Sequence, residues 1–170
     1  PQECPVKACG RYYPERVDDV AWENDLTAFR AYGPALQETG ERAFGYDIWT
    51  KYNTTEPVVE ARYEGELNPD MKAKIAELGK TDPKAAQELY RSVSYHVDHG
   101  NGLDCYKVGP TLGGGTTALM AGDTIVYPYC YAIQEILDNG PLRFTVKLVY
   151  NPLVVKGDST IIETRIITLD

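Results

Sequence analysis

The alternation of apolar and polar positions predicts that most of this chain forms β-strands. Two early segments, 26–36 and 44–52, show the period of two that places successive side chains on opposite faces of a sheet. The segment 58–63 is a third candidate strand. Residues 1–25 mix charged residues with proline and predict no regular element.

The last third of the chain carries the clearest strand pattern. Apolar and polar residues alternate over 142–150, and a partner strand is predicted over 160–169. The segments 138–140 and 156–158 contain the Asp, Asn and Gly residues typical of tight turns. Several strands joined by short polar turns predict a mainly β fold, an antiparallel sandwich.

One stretch in the middle of the chain predicts a pair of short helices. In the first, the Asn-Pro pair of 68–69 provides the cap and the first helical position, the helical pattern follows over 71–78, and Gly79 ends the helix. A second helix restarts at a Thr-Asp-Pro run and covers 81–91. We therefore expect a two-helix insertion, residues 68–92, on the β scaffold.

Composition and charge narrow the classes of function. The 170 residues are 43% hydrophobic and 25% charged, which suits a single globular domain over 1–170. No apolar run is long enough for a membrane span. The net charge of −8 argues against nucleic-acid binding, because a phosphate backbone needs a basic face. No targeting signal is visible, and the predicted strand at 160–169 ends without a polar tail, so we expect a fragment of a longer domain.

The four cysteines do not have the spacing of a zinc site. Cys4 and Cys9 either close a small loop in an oxidising compartment or stay free together with Cys105 and Cys130. The sequence leaves both possibilities open.

The most unusual stretch is the Gly-rich segment 95–107, which holds both histidines of the protein. The cluster predicts either a general base with acidic partners or a polar turn whose side chains bond to the local backbone. His96, Asp98 and His99 also have the donor types of a divalent metal site, although such a site needs three or four ligands in the right geometry. Apart from such a metal, no cofactor is expected.

Charged residues around the first predicted strands form a second group of candidates. Arg30 lies between aromatic residues and has the guanidinium fork that binds a ligand carboxylate. Alternatively, it forms an ion pair with Glu23 or Asp19. Arg30 and Glu23 are therefore candidate substrate-binding residues.

The aromatic residues are mostly tyrosine, with 13 Tyr against 3 Phe. Tyrosine suits both a sheet and a groove that faces a sugar. Tyr127, Tyr129 and Tyr131 occupy alternate positions of a predicted strand, so their rings would lie on one face and form the floor of such a groove. Trp49 is either a stacking surface for a sugar or a core residue, and the core is the usual place of a tryptophan.

Five runs of the sequence carry a resemblance to a known family: 15–25, 28–36, 46–51, 95–110 and 136–143. They resemble domain-of-unknown-function family 4861. That family occurs in secreted proteins of polysaccharide-degrading bacteria, beside enzymes that act on uronic-acid glycans, and is similar to the large β-sandwich of galactose mutarotases and several polysaccharide lyases. The resemblance implies a periplasmic or secreted protein of galactose-mutarotase-like fold, whose partner is an acidic oligosaccharide or polysaccharide; it does not fix a reaction.

The resemblance and the residue types together predict β-elimination on a uronic-acid-containing oligosaccharide, by a lyase or a dehydratase. In this hypothesis a histidine oriented by an aspartate removes the C5 proton, Tyr106 protonates the leaving oxygen, and Arg30 with Lys107 holds the carboxylate. A non-catalytic glycan-binding module and an aldose epimerase or mutarotase are the alternatives. The candidate catalytic residues are His96, His99, Tyr106, Asp98 and Asp104, and the candidate substrate-binding residues are Arg30, Lys107, Glu23, Trp49 and Tyr129.

Overall fold

Antiparallel sheets make up most of the structure, a computed structural model that describes residues 4–157 and 159–170. A one-turn 3-10 helix, Pro14–Arg16, separates the first two strands. The strands and α-helices of the described residues are β1 (Ala8–Tyr13), β2 (Asp19–Asn24), β3 (Thr27–Ala31), α1 (Pro34–Glu38), β4 (Tyr46–Thr50), α2 (Val59–Leu67), α3 (Pro69–Thr81), α4 (Pro83–Val93), β5 (Leu119–Ala121), β6 (Thr124–Val126), β7 (Tyr131–Asn139), β8 (Phe144–Tyr150), β9 (Leu153–Lys156), β10 (Ser159–Ile161) and β11 (Thr164–Leu169).

Two of the sheets pack face to face and enclose the main core. One has the order β1-β2-β3-β4 and the other the order β11-β8-β7. The buried face of β8 presents Phe144, Val146 and Leu148 to the first sheet, where Trp22 stacks on Phe144 with ring centroids 6.4 Å apart. This confirms the predicted antiparallel sandwich and the predicted pairing of the 142–150 strand with the last strand, since β8 pairs with β11.

The first 25 residues contain two strands, so the prediction of an irregular segment there was wrong. β2 is buried along its whole length, including the side chains of Asp19 and Glu23. The buried acids of β2 interrupt the apolar alternation by which a half-buried strand is recognised, and β2 was missed for that reason. The strand predicted over 26–36 ends at Ala31, because the Gly-Pro pair at 33–34 begins α1.

The segment 58–63, predicted as a strand, lies at the start of helix α2. The Glu23 carboxylate accepts hydrogen bonds from the backbone N–H groups of Val58 and Val59 at 2.9–3.0 Å. These groups are donors that a helix start leaves without intrahelical partners. The helix is therefore capped by a residue of β2 that is remote in sequence.

The helical insertion has three helices over 59–93 rather than two over 68–92. The predicted starts are confirmed, since the side chains of Asn68 and Asp82 each accept an N–H of the first turn at 3.0 Å. Gly79 does not end α3, which continues to Thr81; a Cβ at Gly79 would lie 3.8 Å from the methyl group of Ala86 in α4.

The strand predicted over 160–169 is divided into β10, which pairs with β9, and β11. The turn predicted at 156–158 includes Asp158, which lies outside the described residues. All four cysteines are free. Among the helices of the described residues, none has the length and apolar character needed to cross a membrane.

Candidate functional site

The site is organised by Arg30, which is buried in the four-stranded sheet with 3% of its surface exposed. The register of β3 and β4 places Arg30 opposite Asp47. Its Nη2 donates to Asp47 Oδ2, to Asp104 Oδ2 at 2.9 Å and to the Tyr32 hydroxyl at 3.1 Å. Asp19 of β2 lies 3.8 Å from Arg30 Nη1. We call Asp19, Asp47 and Asp104 the carboxylate cluster.

The segment 94–107 reaches this cluster because it lies along the free edge of β4. The N–H of Thr50 donates to the Leu103 carbonyl at 3.1 Å, and Trp49 forms an isolated bridge with Asp104. Gly102 allows this approach: its φ is +104°, and a Cβ there would lie 1.8 Å from the Thr50 carbonyl oxygen. The edge of β4 thereby fixes the position of the Asp104 side chain.

Three buried carboxylates surround a single buried guanidinium, so the cluster carries more negative than positive groups. Burial raises the pKa values of Asp19 and Asp104 to about 6, although the Arg30 charge pulls both down. In the described part of the chain, the Oδ1 atom of each carboxylate and the Nε and Nη1 atoms of Arg30 have no hydrogen-bond partner. Asp19 and Asp104 therefore hold a proton more readily than a carboxyl group in water does.

A cavity of about 470 Å³ opens beside the carboxylate cluster, and we call it the candidate pocket. This volume is within the range of small-molecule sites, roughly 300–1,000 Å³. Five of the ten candidate residues line it: Arg30, His96, Asp104, Tyr106 and Lys107. The segment that holds the histidines thus faces a cavity that also contains cationic side chains.

His96 has the arrangement of a general base at the pocket wall. Its Nδ1 lies 3.3 Å from the Asp104 carbonyl oxygen and 3.4 Å from Asp104 Oδ2. Both neighbours are acceptors, so Nδ1 carries the proton of the neutral ring and Nε2 keeps its lone pair. The side chain is 48% exposed, and Nε2 makes no hydrogen bond to any described residue.

Asp98 and His99 do not line the candidate pocket. Asp98 Oδ1 accepts the N–H groups of Gly100 and Gly102 at 2.7 and 3.4 Å, and His99 Nε2 lies 2.9 Å from the Ser94 carbonyl oxygen. For these two residues the structure shows the local backbone bonding that the sequence offered as an alternative. Residues 4–157 and 159–170 contain no group of three or more His, Cys, Asp or Glu side chains placed to hold a metal ion.

Tyr106 and Lys107 extend from the same segment into the pocket lining. The Tyr106 hydroxyl donates to the Tyr46 carbonyl at 3.2 Å, and burial raises its pKa. Lys107 is exposed and forms no ion pair with a described residue. Its ammonium charge is therefore available to an anion in the pocket.

Arg16 also lines the pocket, and sequence analysis missed it. It comes from the 3-10 turn, and its Nε and Nη2 both donate to the Tyr95 hydroxyl at 3.2 Å. No described carboxylate forms an ion pair with it. Arg30 was predicted to hold a ligand carboxylate, but it is bound by the carboxylate cluster instead. Of its two predicted alternative partners, Asp19 lies 3.8 Å away. The other, Glu23, pairs with Lys51 at 2.9 Å.

The remaining predicted binding residues lie away from the pocket lining. Trp49 is 2% exposed, stacks on Tyr95 with centroids 5.0 Å apart and donates its Nε1–H to Asp47, so it supports the cluster and offers no face to a sugar. Glu23 caps α2, as described above. Tyr129 is exposed but lines another groove. Tyr131 is a core residue, so the predicted row of three groove tyrosines is reduced to two.

Arg62 of α2 holds the segment in place from the other side. Its guanidinium donates to the Val97 carbonyl at 3.3 Å, to the Gly102 carbonyl at 2.9 Å and to Asn101 Oδ1. Burial lowers its pKa. Because 58–63 was predicted as a strand, this helix-borne contact was not foreseen.

Comparison with known proteins gives a family and no function. The family model described as "Domain of unknown function (DUF4861)" matches residues 2–170, as the resemblance predicted. "Uncharacterized protein P7" of Formosa agariphila is 30% identical over 172 residues, which cover 97% of this chain and 38% of that protein. The chain thus spans well under half the length of this relative. No solved structure matches, so the galactose-mutarotase type of the sandwich stays a prediction.

Proposed function

This chain belongs to the DUF4861 family, and we propose that its candidate pocket catalyses β-elimination on a uronic-acid-containing oligosaccharide, as a carbon–oxygen lyase or dehydratase. The observation that carries the proposal is the His96–Asp104 pair. It presents an imidazole with an unbonded Nε2 to a cavity that also contains Arg16 and Lys107.

The two cations account for substrate choice. A uronate carboxylate adds a negative charge to a protein that already has a net charge of −8, so binding needs local positive charge. Arg16 and Lys107 supply that charge, because neither forms an ion pair with a described carboxylate. Arg30 supports the pocket wall as the partner of the carboxylate cluster.

The proposed reaction proceeds by proton removal beside the substrate carboxylate. His96 Nε2 takes the C5 proton, and Arg16 and Lys107 stabilise the enolate charge that develops on the carboxylate. The C4–O bond then breaks as the C4–C5 double bond forms. The leaving oxygen takes the Tyr106 proton, and water returns the proton from the His96 imidazolium to the Tyr106 phenolate.

Asp104 has the role of a positioning residue. Its carbonyl and carboxylate oxygens fix the proton on Nδ1 and stabilise the imidazolium that forms at His96. The hydrogen bond from Arg30 fixes the same carboxylate oxygen at 2.9 Å. The orientation of His96 therefore depends on Asp104, which is itself held by Arg30 in the core of the sheet.

The experiment is incubation of the protein with a panel of uronic-acid oligosaccharides, followed by mass spectrometry and ultraviolet absorbance. Loss of one water identifies a dehydratase, and cleavage of the chain with an unsaturated end identifies a lyase. Binding without any product identifies the non-catalytic module instead and overturns the proposal. Turnover of a free neutral monosaccharide without unsaturation identifies the epimerase alternative and overturns it as well.

A further inference from the structure

A second cavity of about 650 Å³, which we call the aromatic groove, is larger than the candidate pocket. Phe44, Tyr127, Tyr129 and Asn151 line it together with aliphatic residues of the β6 and β9 regions. None of the residues that line it is charged. The proposed reaction does not use this groove.

The aromatic rings of the groove form a fixed platform. Phe44 contacts Tyr129 edge to face with centroids 5.0 Å apart and Tyr127 with centroids 5.6 Å apart. Tyr129 nevertheless remains 58% exposed. An exposed ring held by aromatic neighbours can stack on the face of a pyranose that carries its C–H groups. The Asn151 amide forms no hydrogen bond with a described residue, so it can bind the sugar's hydroxyl groups.

A cation stands at the rim of the groove. The Arg42 guanidinium lies 5.9 Å from the centre of the Tyr129 ring. It donates to the carbonyls of Gln37 and Glu41 at 3.2 and 3.4 Å, and no carboxylate of the described chain pairs with it. This charge favours an acidic sugar over a second copy of the chain, which carries a net charge of −8.

Some residues that line the groove are close in the chain to residues that line the candidate pocket. Glu41 lines the pocket and Phe44 lines the groove, three residues further along the chain. Three extended residues span at most about 11 Å. The N–H of Phe44 also donates at 3.4 Å to the carbonyl of Gly109, two residues beyond the pocket residue Lys107. Lining residues of the two cavities thus lie within about 11 Å of each other along the backbone.

We propose that the aromatic groove is a second sugar subsite, which binds a more distant acidic residue of the oligosaccharide whose reacting uronate and its first neighbour lie in the candidate pocket. This inference rests on the proposed function for the identity of the substrate. It makes the preferred substrate a longer oligosaccharide, because a short one fills the pocket alone.

The experiment compares Tyr129→Ala with Tyr90→Ala, which removes an exposed tyrosine from helix α4 that lines neither cavity. Calorimetric titration with a uronate disaccharide and with a longer oligomer measures binding without turnover. We expect Tyr129→Ala to weaken binding of the longer oligomer by about tenfold, or about 1.4 kcal/mol, and to leave the disaccharide unchanged. Tyr90→Ala should change neither, and in turnover Tyr129→Ala should raise KM for the longer oligomer with kcat retained.

Equal affinity of wild type and Tyr129→Ala for the longer oligomer overturns the subsite, as does the absence of any binding. If products form but their rate is independent of chain length and of Tyr129, the subsite fails while the proposed function stands. If Tyr129-dependent binding occurs without product, the groove binds sugar and the proposed function fails. A circular dichroism spectrum that matches wild type shows that Tyr129→Ala is folded.

Discussion

His96 Nδ1 lies 3.4 Å from Asp104 Oδ2, and the same oxygen accepts a hydrogen bond from the buried Arg30 at 2.9 Å. A half-exposed imidazole is thereby connected to the core of the sheet through one carboxylate. The connection explains how a residue of an irregular segment can keep a fixed tautomer and orientation, which a general base needs.

The first prediction concerns Asp104 as a positioning residue. In Asp104→Asn the carboxylate that stabilises the His96 imidazolium is lost, so kcat should fall by at least about tenfold while KM changes little. Because the Asp104 pKa is about 6, the acid limb of the pH–rate profile near that value should move in the variant. Asp104→Glu should recover part of the rate. A profile and rate equal to wild type would contradict the role.

The second prediction follows from the raised pKa values of the carboxylate cluster. The ordinary pKa of an aspartate is 3.8, and Asp19 and Asp104 have values of about 6 in the fold. Between these values the folded state binds more protons than the unfolded state, so their contribution to the free energy of unfolding falls as pH rises from about 4 to about 6. Asp19→Asn should remove part of this decline.

Urea denaturation at several pH values measures that contribution as the difference between wild type and Asp19→Asn. Asn at this position still accepts the hydrogen bond of the Tyr63 hydroxyl, which lies 3.1 Å from Asp19 Oδ2. Asp123→Asn, at an exposed position, is the matched control and should leave the pH dependence unchanged. A difference that grows in the opposite direction would show that Asp19 is stabilised in its ionised form.

The third prediction concerns the single cation of the cluster. Arg30→Met leaves three buried carboxylates without a guanidinium and should lower the free energy of unfolding by about 3–5 kcal/mol. Arg143→Met breaks an exposed pair with Asp170 and should change the free energy of unfolding far less, because water screens an exposed ion pair. Chemical denaturation of both variants provides the comparison, and equal small losses would mean that the cluster does not depend on Arg30.

The fourth prediction concerns the contact between the helical insertion and the segment 95–107, which holds both histidines. Arg62→Met removes three hydrogen bonds to 97–102, so the backbone amides of that segment should exchange faster with deuterium. Arg91→Met, on the exposed surface of α4, should leave the exchange unchanged. Unaltered exchange in Arg62→Met would show that the edge of β4 alone holds the segment.

The sequence predicts the part of the fold in which one face of a strand is buried and the other face is exposed to solvent. β8 shows this alternation, and its partner and the sandwich follow from it. It does not predict elements that depend on a distant polar group. The start of α2 depends on Glu23, and β2 is hidden because it buries its acids.

The same division applies to the candidate site. The clustering of both histidines with acids predicts the pocket wall, and His96, Asp104, Tyr106 and Lys107 are found there. No local pattern separates His96 from His99, since only the tertiary contact with Asp104 distinguishes them. Arg16 joins the pocket through the packing of a 3-10 turn, which no spacing in the sequence indicates.

The proposed role of His96 as the base is decided by turnover of a uronate oligosaccharide by His96→Ala and His99→Ala. The two variants remove the two histidines of one segment, of which only His96 lines the candidate pocket. We predict that formation of the unsaturated product falls by at least about 10²-fold in His96→Ala and stays close to wild type in His99→Ala. A wild-type rate in His96→Ala would show that His96 is not the base.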